Sequence, residues 1–391
     1  MSESTSPHDI IVHVFGRTDV GRTREHNEDS FVVADLSSMN ATLQPEVREH
    51  VLGARGTLFM VADGMGGAAA GEIASQLAVD VVLEELDTWW RRSDQTDAAT
   101  FASALRRAVE AANARIHRYA LDHPENRGMG TTTTVAGILG DTLYLCQVGD
   151  SRGYLVRNGT AIQVTKDQSL VQRLIDAGEL TAEEAEVSER RNIILQALGP
   201  EPTVKVDVTL QPLRRGDTLV LCSDGMSGQM RADDIGRVVT EQPDLMGACK
   251  ALIDLANENG GPDNITVITA RFDGEGLQAV VQGDVVGHRP YVSPAEQRAT
   301  MPVDAASVQE SLEAADLVEL SMVTTDEVEA AVVPPTPATT DESAVRATTP
   351  IGAAPAAPAS RRVSVAQLRF IFGSLTVAVA AWLAWVYLLR R

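Results

Sequence analysis

The stretch Leu58-Phe59-Met60-Val61-Ala62-Asp63-Gly64-Met65-Gly66-Gly67 decides how this sequence is read. A short apolar run meets an aspartate, and glycines follow at once. A run of this length closed by glycine reads as a buried strand, and an aspartate at its end is placed to project into a cleft. The pattern recurs in Cys146-Gln147-Val148-Gly149-Asp150-Ser151 and in Leu219-Val220-Leu221-Cys222-Ser223-Asp224-Gly225. A fourth acid, Asp263 in Gly261-Pro262-Asp263-Asn264, sits just before another strand-like run, and Asn27-Glu28-Asp29 precedes one more. Taken singly, an Asp-Gly at a strand end is most often a turn. Several aspartates gathered at one place would repel one another unless a cation neutralised them.

Ligand chemistry narrows that cation. The set offers carboxylate oxygens and backbone carbonyls, with no His or Cys at ligand spacing, so it suits Mg2+ or Mn2+ and not Zn2+ or copper. A glycine after the aspartate lets the backbone carbonyl come close to a metal or its water. Two such ions can activate a shared water and neutralise a phosphoryl group. Arg24, just before the acidic pair, is the candidate to hold that phosphate bidentately. Residues 63–71 also read as a Gly-rich nucleotide loop opening a helix, but the G-x-G-x-x-G spacing and the βαβ context are missing.

Working outward, residues 8–273 alternate short β-patterned runs with two long helical ones. Strands are expected at 10–15, 30–34, 57–62, 132–139, 143–148, 153–156, 161–165, 204–210, 218–222 and 265–271. The Asn158-Gly159 pair marks a hairpin turn between two of them. Helices are expected at 72–90, with Ile73, Leu77, Val81 and Leu86 near one stripe, and at 98–119, with Phe101, Leu105, Val109, Ala112 and Ile116. Shorter ones are expected at 168–177, 232–240 and 244–258. Hairpin-linked strands with clustered helices indicate an α+β fold of antiparallel sheets flanked by helices.

The chain has 391 residues, enough to bury a full core. Its 33 Lys and Arg against 54 Asp and Glu give a net charge of −21, which argues against nucleic acid as a general partner. About −16 of that charge lies in residues 1–273, −10 in 274–360 and +5 in the remainder. Cys146, Cys222 and Cys249 are too few and too scattered for a disulfide framework and read as small buried hydrophobes in a reducing compartment.

Residues 274–360 hold nine of the 17 prolines and thirteen acids. Such a stretch cannot repay the entropy of ordering, so it is expected to be a disordered acidic linker. Residues 370–389 carry no charge and at 1.5 Å per residue would span roughly 30 Å, the thickness of a bilayer core. Trp382, Trp385 and Tyr387 lie near its end, and arginines bracket it, as expected of a single-pass C-terminal membrane anchor. Three arginines before the span against two after it favour a cytoplasmic catalytic side. The first residues show no basic and apolar succession of a secretory signal.

In order along the chain, Thr18-Asp19-Val20-Gly21-Arg22-Thr23-Arg24-Glu25-His26-Asn27-Glu28-Asp29, Val61-Ala62-Asp63-Gly64-Met65-Gly66-Gly67, Gly130-Thr131-Thr132, Val148-Gly149-Asp150-Ser151-Arg152, Ser223-Asp224-Gly225 and Pro262-Asp263-Asn264-Ile265-Thr266-Val267 resemble the metal-dependent serine/threonine protein phosphatases of type 2C, the bacterial branch most closely. The resemblance covers about 265 residues. It implies two stacked antiparallel sheets with helices outside and a dinuclear Mn2+ or Mg2+ site at one end of the sandwich. By motif position, Asp63 would bridge both metals and the Gly64 carbonyl would bind one. Asp224 and Asp263 would hold the other, and Asp150 with Asp224 a weaker third. Arg24 would bind the substrate phosphate, while Glu28 and Asp29 would act through metal-bound waters, Asp29 orienting the nucleophile. Residues 166–198 would be a mobile flap beside the site.

The resemblance further implies phosphorylated proteins as substrates, a monomeric catalytic domain and a serine/threonine kinase of eukaryotic-like bacterial type as opponent. In eukaryotic members a histidine two residues after the bridging aspartate is the proposed general acid; here that position is Met65, which cannot donate a proton. A metal-bound water, no dedicated acid, or His26 are the alternatives. A degenerate phosphatase that binds phosphoproteins without turnover is disfavoured because none of Asp63, Asp224 and Asp263 is missing. A small-molecule phosphatase is disfavoured by the lack of a basic or stacking pocket signature.

Overall fold

A computed structural model of the chain describes residues 9–39, 49–66, 69–92 and 97–292. By contacts the chain divides into two units, Met1–Asp304 and Ala305–Arg391, and every described residue lies in the first. Among the described residues no helix is long and apolar enough to cross a membrane; the expected anchor at 370–389 and the linker beyond residue 292 lie outside them.

Twelve strands form two antiparallel sheets among the described residues. The first runs β3 (Glu49–Val51), β1 (Ile11–Asp19), β12 (Ile265–Asp273), β11 (Thr218–Cys222), β8 (Arg152–Arg157) and β9 (Thr160–Gln163). The second runs β10 (Asp207–Pro212), β7 (Thr142–Val148), β6 (Thr133–Leu139), β4 (Thr57–Met65) and β2 (Asp29–Asp35), with β5 (Gly130–Thr131) paired to the end of β4. Helices α1 (Ala70–Arg92) and α2 (Ala98–Asp122) cover the outer face of the second sheet. Helices α6 (Ala232–Glu241) and α7 (Leu245–Glu258) cover the outer face of the first.

Four layers explain why β4 is apolar without alternation. Side chains alternate across a strand, and here both faces meet apolar material. Phe59 and Val61 point between the sheets, where they join Val14, Leu145, Leu221 and Phe272. Leu58, Met60 and Ala62 point at the helices, among Ala74, Ala78, Leu105 and Ala112. A sheet buried on one face only would have interrupted the run with polar residues. The three cysteines are buried and free.

Four expectations need correction. Ile73 and Leu77 pack only partly against the core, and α1 instead lays Ala70, Ala74 and Ala78 on the sheet; small side chains let the helix approach closely. The strand carrying Asp63 does not stop at the aspartate but runs to Met65, because β5 extends its ladder. Asp224 does not end a strand: Ser223 is the N-cap of a short helix, α5 (Asp224–Ser227). Finally, the linker does not begin at residue 274.

Residues 274–292 continue over the folded unit, and 287–291 run along the open edge of β10. Leu277 is 1% exposed, and Arg214 grips Asp284 with Nε at 2.8 Å and Nη2 at 3.1 Å. Leu210 N donates to Arg289 O at 3.0 Å and Tyr291 N to Val208 O at 2.8 Å. An edge strand offers unpaired donors and acceptors, and satisfying them, with the burial of Leu277, orders a stretch that carries only two of the thirteen acids and one of the nine prolines counted over 274–360.

Candidate metal centre

The aspartates of the repeated pattern gather where the two sheets meet at one end. Asp29 opens β2 directly opposite Asp63 on β4. Asp224 follows β11, and Asp263 lies two residues before β12, the neighbour of β11. Asp150 lies in the turn between β7 and β8. That turn needs Gly149: its φ is +98°, and a Cβ there would sit 2.7 Å from the Thr132 side chain.

Backbone bonds fix the Asp63 corner. Asp63 O accepts from Thr132 N and from Thr131 Oγ1, each at 2.9 Å, and Asp63 N donates to Thr132 Oγ1 at 3.2 Å. Gly64 N donates to Glu28 O at 3.2 Å. A Cβ on Gly64 would lie 2.3 Å from Gly71 O and 2.5 Å from Glu28 O, so the chain passes Asp63 at a closeness that only glycine permits.

Electrostatically this end is frustrated. Burial pushes the Asp29 carboxyl up to about 7, with Asp224 and Asp263 adding repulsion. Burial also pushes Asp150 up to about 7, reinforced by Asp224 and Asp167. Asp63 is raised well above the carboxylate range by burial and then by Asp29, Asp224, Asp150 and Asp263. Asp224 is raised by burial and by Asp263, eased by a hydrogen bond with Asp63. Three buried carboxylate oxygens, Asp29 Oδ1, Asp150 Oδ1 and Asp224 Oδ1, have no hydrogen-bond partner.

Buried acids repelling one another, with oxygens facing no donor, fit a hard divalent cation with oxygen ligands. Among the described residues, however, no group of three or more His, Cys, Asp and Glu side chains is arranged to hold a metal ion.

The remaining expected residues lie on the loop before β2. Arg24 donates from Nη2 to Asp263 Oδ2 at 2.8 Å, leaving a half-exposed guanidinium beside the acids. Burial raises the Glu28 carboxyl, the nearby Arg24 lowering it in part. His26 is exposed on the same loop. Residues 166–198 leave β9, form α3 (Leu170–Asp176) and α4 (Ala182–Glu186), and return so that Leu198 pairs with Thr131, the neighbour of Gly64.

Sequence reading overlooked Asn264. Its Oδ1 accepts from Glu28 N at 2.8 Å, and its Nδ2 donates to Val20 O at 3.1 Å and His26 O at 2.9 Å. One amide thus holds both ends of the loop bearing Arg24 and Glu28. Its place beside Asp263 in the motif was the available signal.

Comparison with known proteins agrees with this geometry. The family model described as protein phosphatase 2C matches residues 43–262. The serine/threonine phosphatase stp of Listeria monocytogenes is 37% identical over 262 residues, 67% of this chain and 96% of that protein. The crystal structure of the Mycobacterium tuberculosis serine/threonine phosphatase PstP superposes with a TM-score of 0.57 at 37% identity, covering 67% of this chain and 99% of that one. A structure of the PstP catalytic domain in complex with two manganese ions gives 0.55 at 36% identity, covering 68% and 99%.

Proposed function

The chain belongs to the protein phosphatase 2C family and is a metal-dependent serine/threonine protein phosphatase; from that premise we propose how its own residues carry the reaction and where it acts. Asp63, the Gly64 carbonyl, Asp224 and Asp263 would hold two Mn2+ or Mg2+ ions, and Asp150 with Asp224 would take a weaker third. The observation that carries this assignment is the buried aspartate cluster with its unpartnered oxygens. When bound, such a pair of ions lowers the pKa of a water and neutralises charge on the phosphoryl group.

The protein's groups supply the rest. Arg24 clamps the phosphate with the guanidinium nitrogens that Asp263 does not occupy. Asp29 orients the attacking water through Oδ1, the oxygen without a partner. Glu28 acts beside it through a second water. Met65 has no proton to give the leaving alkoxide, so that proton would have to come from water or from another group such as His26. Reaction by direct attack of water needs no enzyme nucleophile, and the three cysteines, buried with pKa values pushed up to about 12, are poor ones.

The substrates are phosphoserine and phosphothreonine side chains of proteins, with residues 166–198 forming a flap beside them. Residues 370–389 anchor the chain in a bacterial plasma membrane with the catalytic domain in the cytoplasm, which raises its effective concentration on membrane-bound substrates. A membrane kinase of the eukaryotic-like type is the natural opponent. The test is phosphate release from a phosphothreonine peptide by the full chain with Mn2+. EDTA and Asp63→Asn should each abolish it, and equal rates in all three would refute the enzyme reading.

A further inference from the structure

Two polar residues of the aspartate motifs have no part in the mechanism so far. Ser223 precedes Asp224, and Thr266 lies three residues after Asp263. Both are fully buried, and both hydroxyls meet the same atom. Ser223 Oγ donates to Asp29 Oδ2 at 2.8 Å, and Thr266 Oγ1 donates to the same oxygen at 2.6 Å. Thr266 N donates to Ser223 Oγ at 2.9 Å, fixing one hydroxyl against the other. Thr18 Oγ1 lies 2.7 Å from Thr266 Oγ1 and takes a bond from Asn27 Nδ2 at 2.8 Å. Asn27 Oδ1 in turn accepts from Asp29 N at 3.1 Å, so the ring of bonds closes on the residue where it began.

The placement matters as much as the bonds. Asp29 belongs to the second sheet, in register with Asp63; Ser223 and Thr266 belong to the first, at the ends of β11 and β12 that carry Asp224 and Asp263. A carboxylate held through one oxygen by two donors has a fixed plane, so the direction of its other oxygen is fixed too. That oxygen, Oδ1, is buried and has no hydrogen-bond partner.

We propose that Ser223 and Thr266 are positioning residues of the metal centre: their hydroxyls lock Asp29 so that Oδ1 faces a water of the centre, and they keep the sheet end bearing Asp224 and Asp263 aligned with the one bearing Asp63. The proposal rests on the metal-ligand reading above. Residues that hold a metal site's surroundings in place cost roughly 10–100-fold in metal affinity or activity when removed. Here the loss would act through Asp29 and its water and through the alignment of Asp224 and Asp263, whereas hydroxyls that merely satisfy a buried acid would cost stability and leave metal affinity alone.

The experiment is Mn2+ titration by calorimetry of the full chain stripped of metal, for wild type, Thr266→Val, Thr266→Ser and Ser223→Ala, with melting temperatures in EDTA alongside. Thr266→Val should raise the Kd for Mn2+ at least about 10-fold, and Thr266→Ser, which keeps the hydroxyl, should return it to within about threefold of wild type. If Thr266→Val does not fold, Ser223→Ala carries the same expected rise. A Kd within threefold of wild type in folded Thr266→Val or Ser223→Ala, whatever the melting temperature, overturns the proposal and leaves the ligand reading standing. A wild-type chain that binds no Mn2+ overturns both.

Discussion

Replacing Asp63 with asparagine should stabilise the metal-free chain and destabilise the metal-loaded one. In the folded state Asp29 sits at about 7 instead of 3.8. At 1.36 kcal/mol per unit, that one buried acid costs the metal-free fold about 4 kcal/mol at pH 8. Asp63 is among several acids raised by the same cause, and an amide of equal size removes both its desolvation and its share of the repulsion. The variant should therefore recover part of the cluster's cost and melt above wild type in EDTA. With Mn2+ at 1,000 times its Kd, wild type gains about 4 kcal/mol that the variant forgoes, so the order of stabilities reverses.

The pH dependence has a definite sign. An acid whose folded pKa is raised carries no penalty below its unfolded value. The penalty grows between about 4 and 7 and is complete above that. The advantage of Asp63→Asn in EDTA should therefore be gone near pH 4 and grow as the pH rises through the range in which these raised acids ionise. His50, which burial makes harder to protonate, weighs on both chains alike on acidification and drops out of the difference. Thermal unfolding of both full chains in EDTA and in Mn2+, from pH 4 to 8, reads all of this. A variant less stable than wild type in EDTA at pH 8 would refute the claim that the acids repel.

Three more expectations are direct. Gly64→Ala drives a Cβ into two backbone oxygens, which cannot yield as a side-chain tip would; a loss of about 1–3 kcal/mol and a weaker Mn2+ isotherm should appear together. Asn264→Ala frees the loop bearing Arg24 and Glu28, so KM for a phosphopeptide should rise about tenfold or more while Tm falls by only a few degrees. A chain stopped after Asp273 exposes the edge of β10 and loses the buried Leu277; it should melt at least about 5 °C below a chain stopped after Val292, corresponding to about 2–3 kcal/mol.

The parts of this molecule legible in its sequence are those set by local pattern. β4 is readable because a strand covered on both faces has no polar interruption, and α2 because Phe101, Leu105, Ala112 and Ile116 all fall on its buried face. Asp63, Asp224 and Asp263 stood out by recurrence beside small residues, and the fold brings them to one end. What escaped depends on partners far along the chain. Ser223 and Thr266 find Asp29 across 194 and 237 residues, and nothing in a serine or threonine announces such a partner. The return of residues 274–292 escaped because 274–360 as a whole has the composition of a linker, though its acids and prolines lie mostly beyond residue 292, while the β10 edge that helps order it is visible only in the fold. Three-residue β3 is too short for any periodicity to register.

Anomalous scattering at the manganese edge from crystals of the chain grown with Mn2+ tests the central claim most directly. Two strong peaks should lie among the carboxylates of Asp63, Asp224 and Asp263, with the Gly64 carbonyl turned toward one of them. Absence of any peak there, with those three side chains pointing apart, would contradict the account.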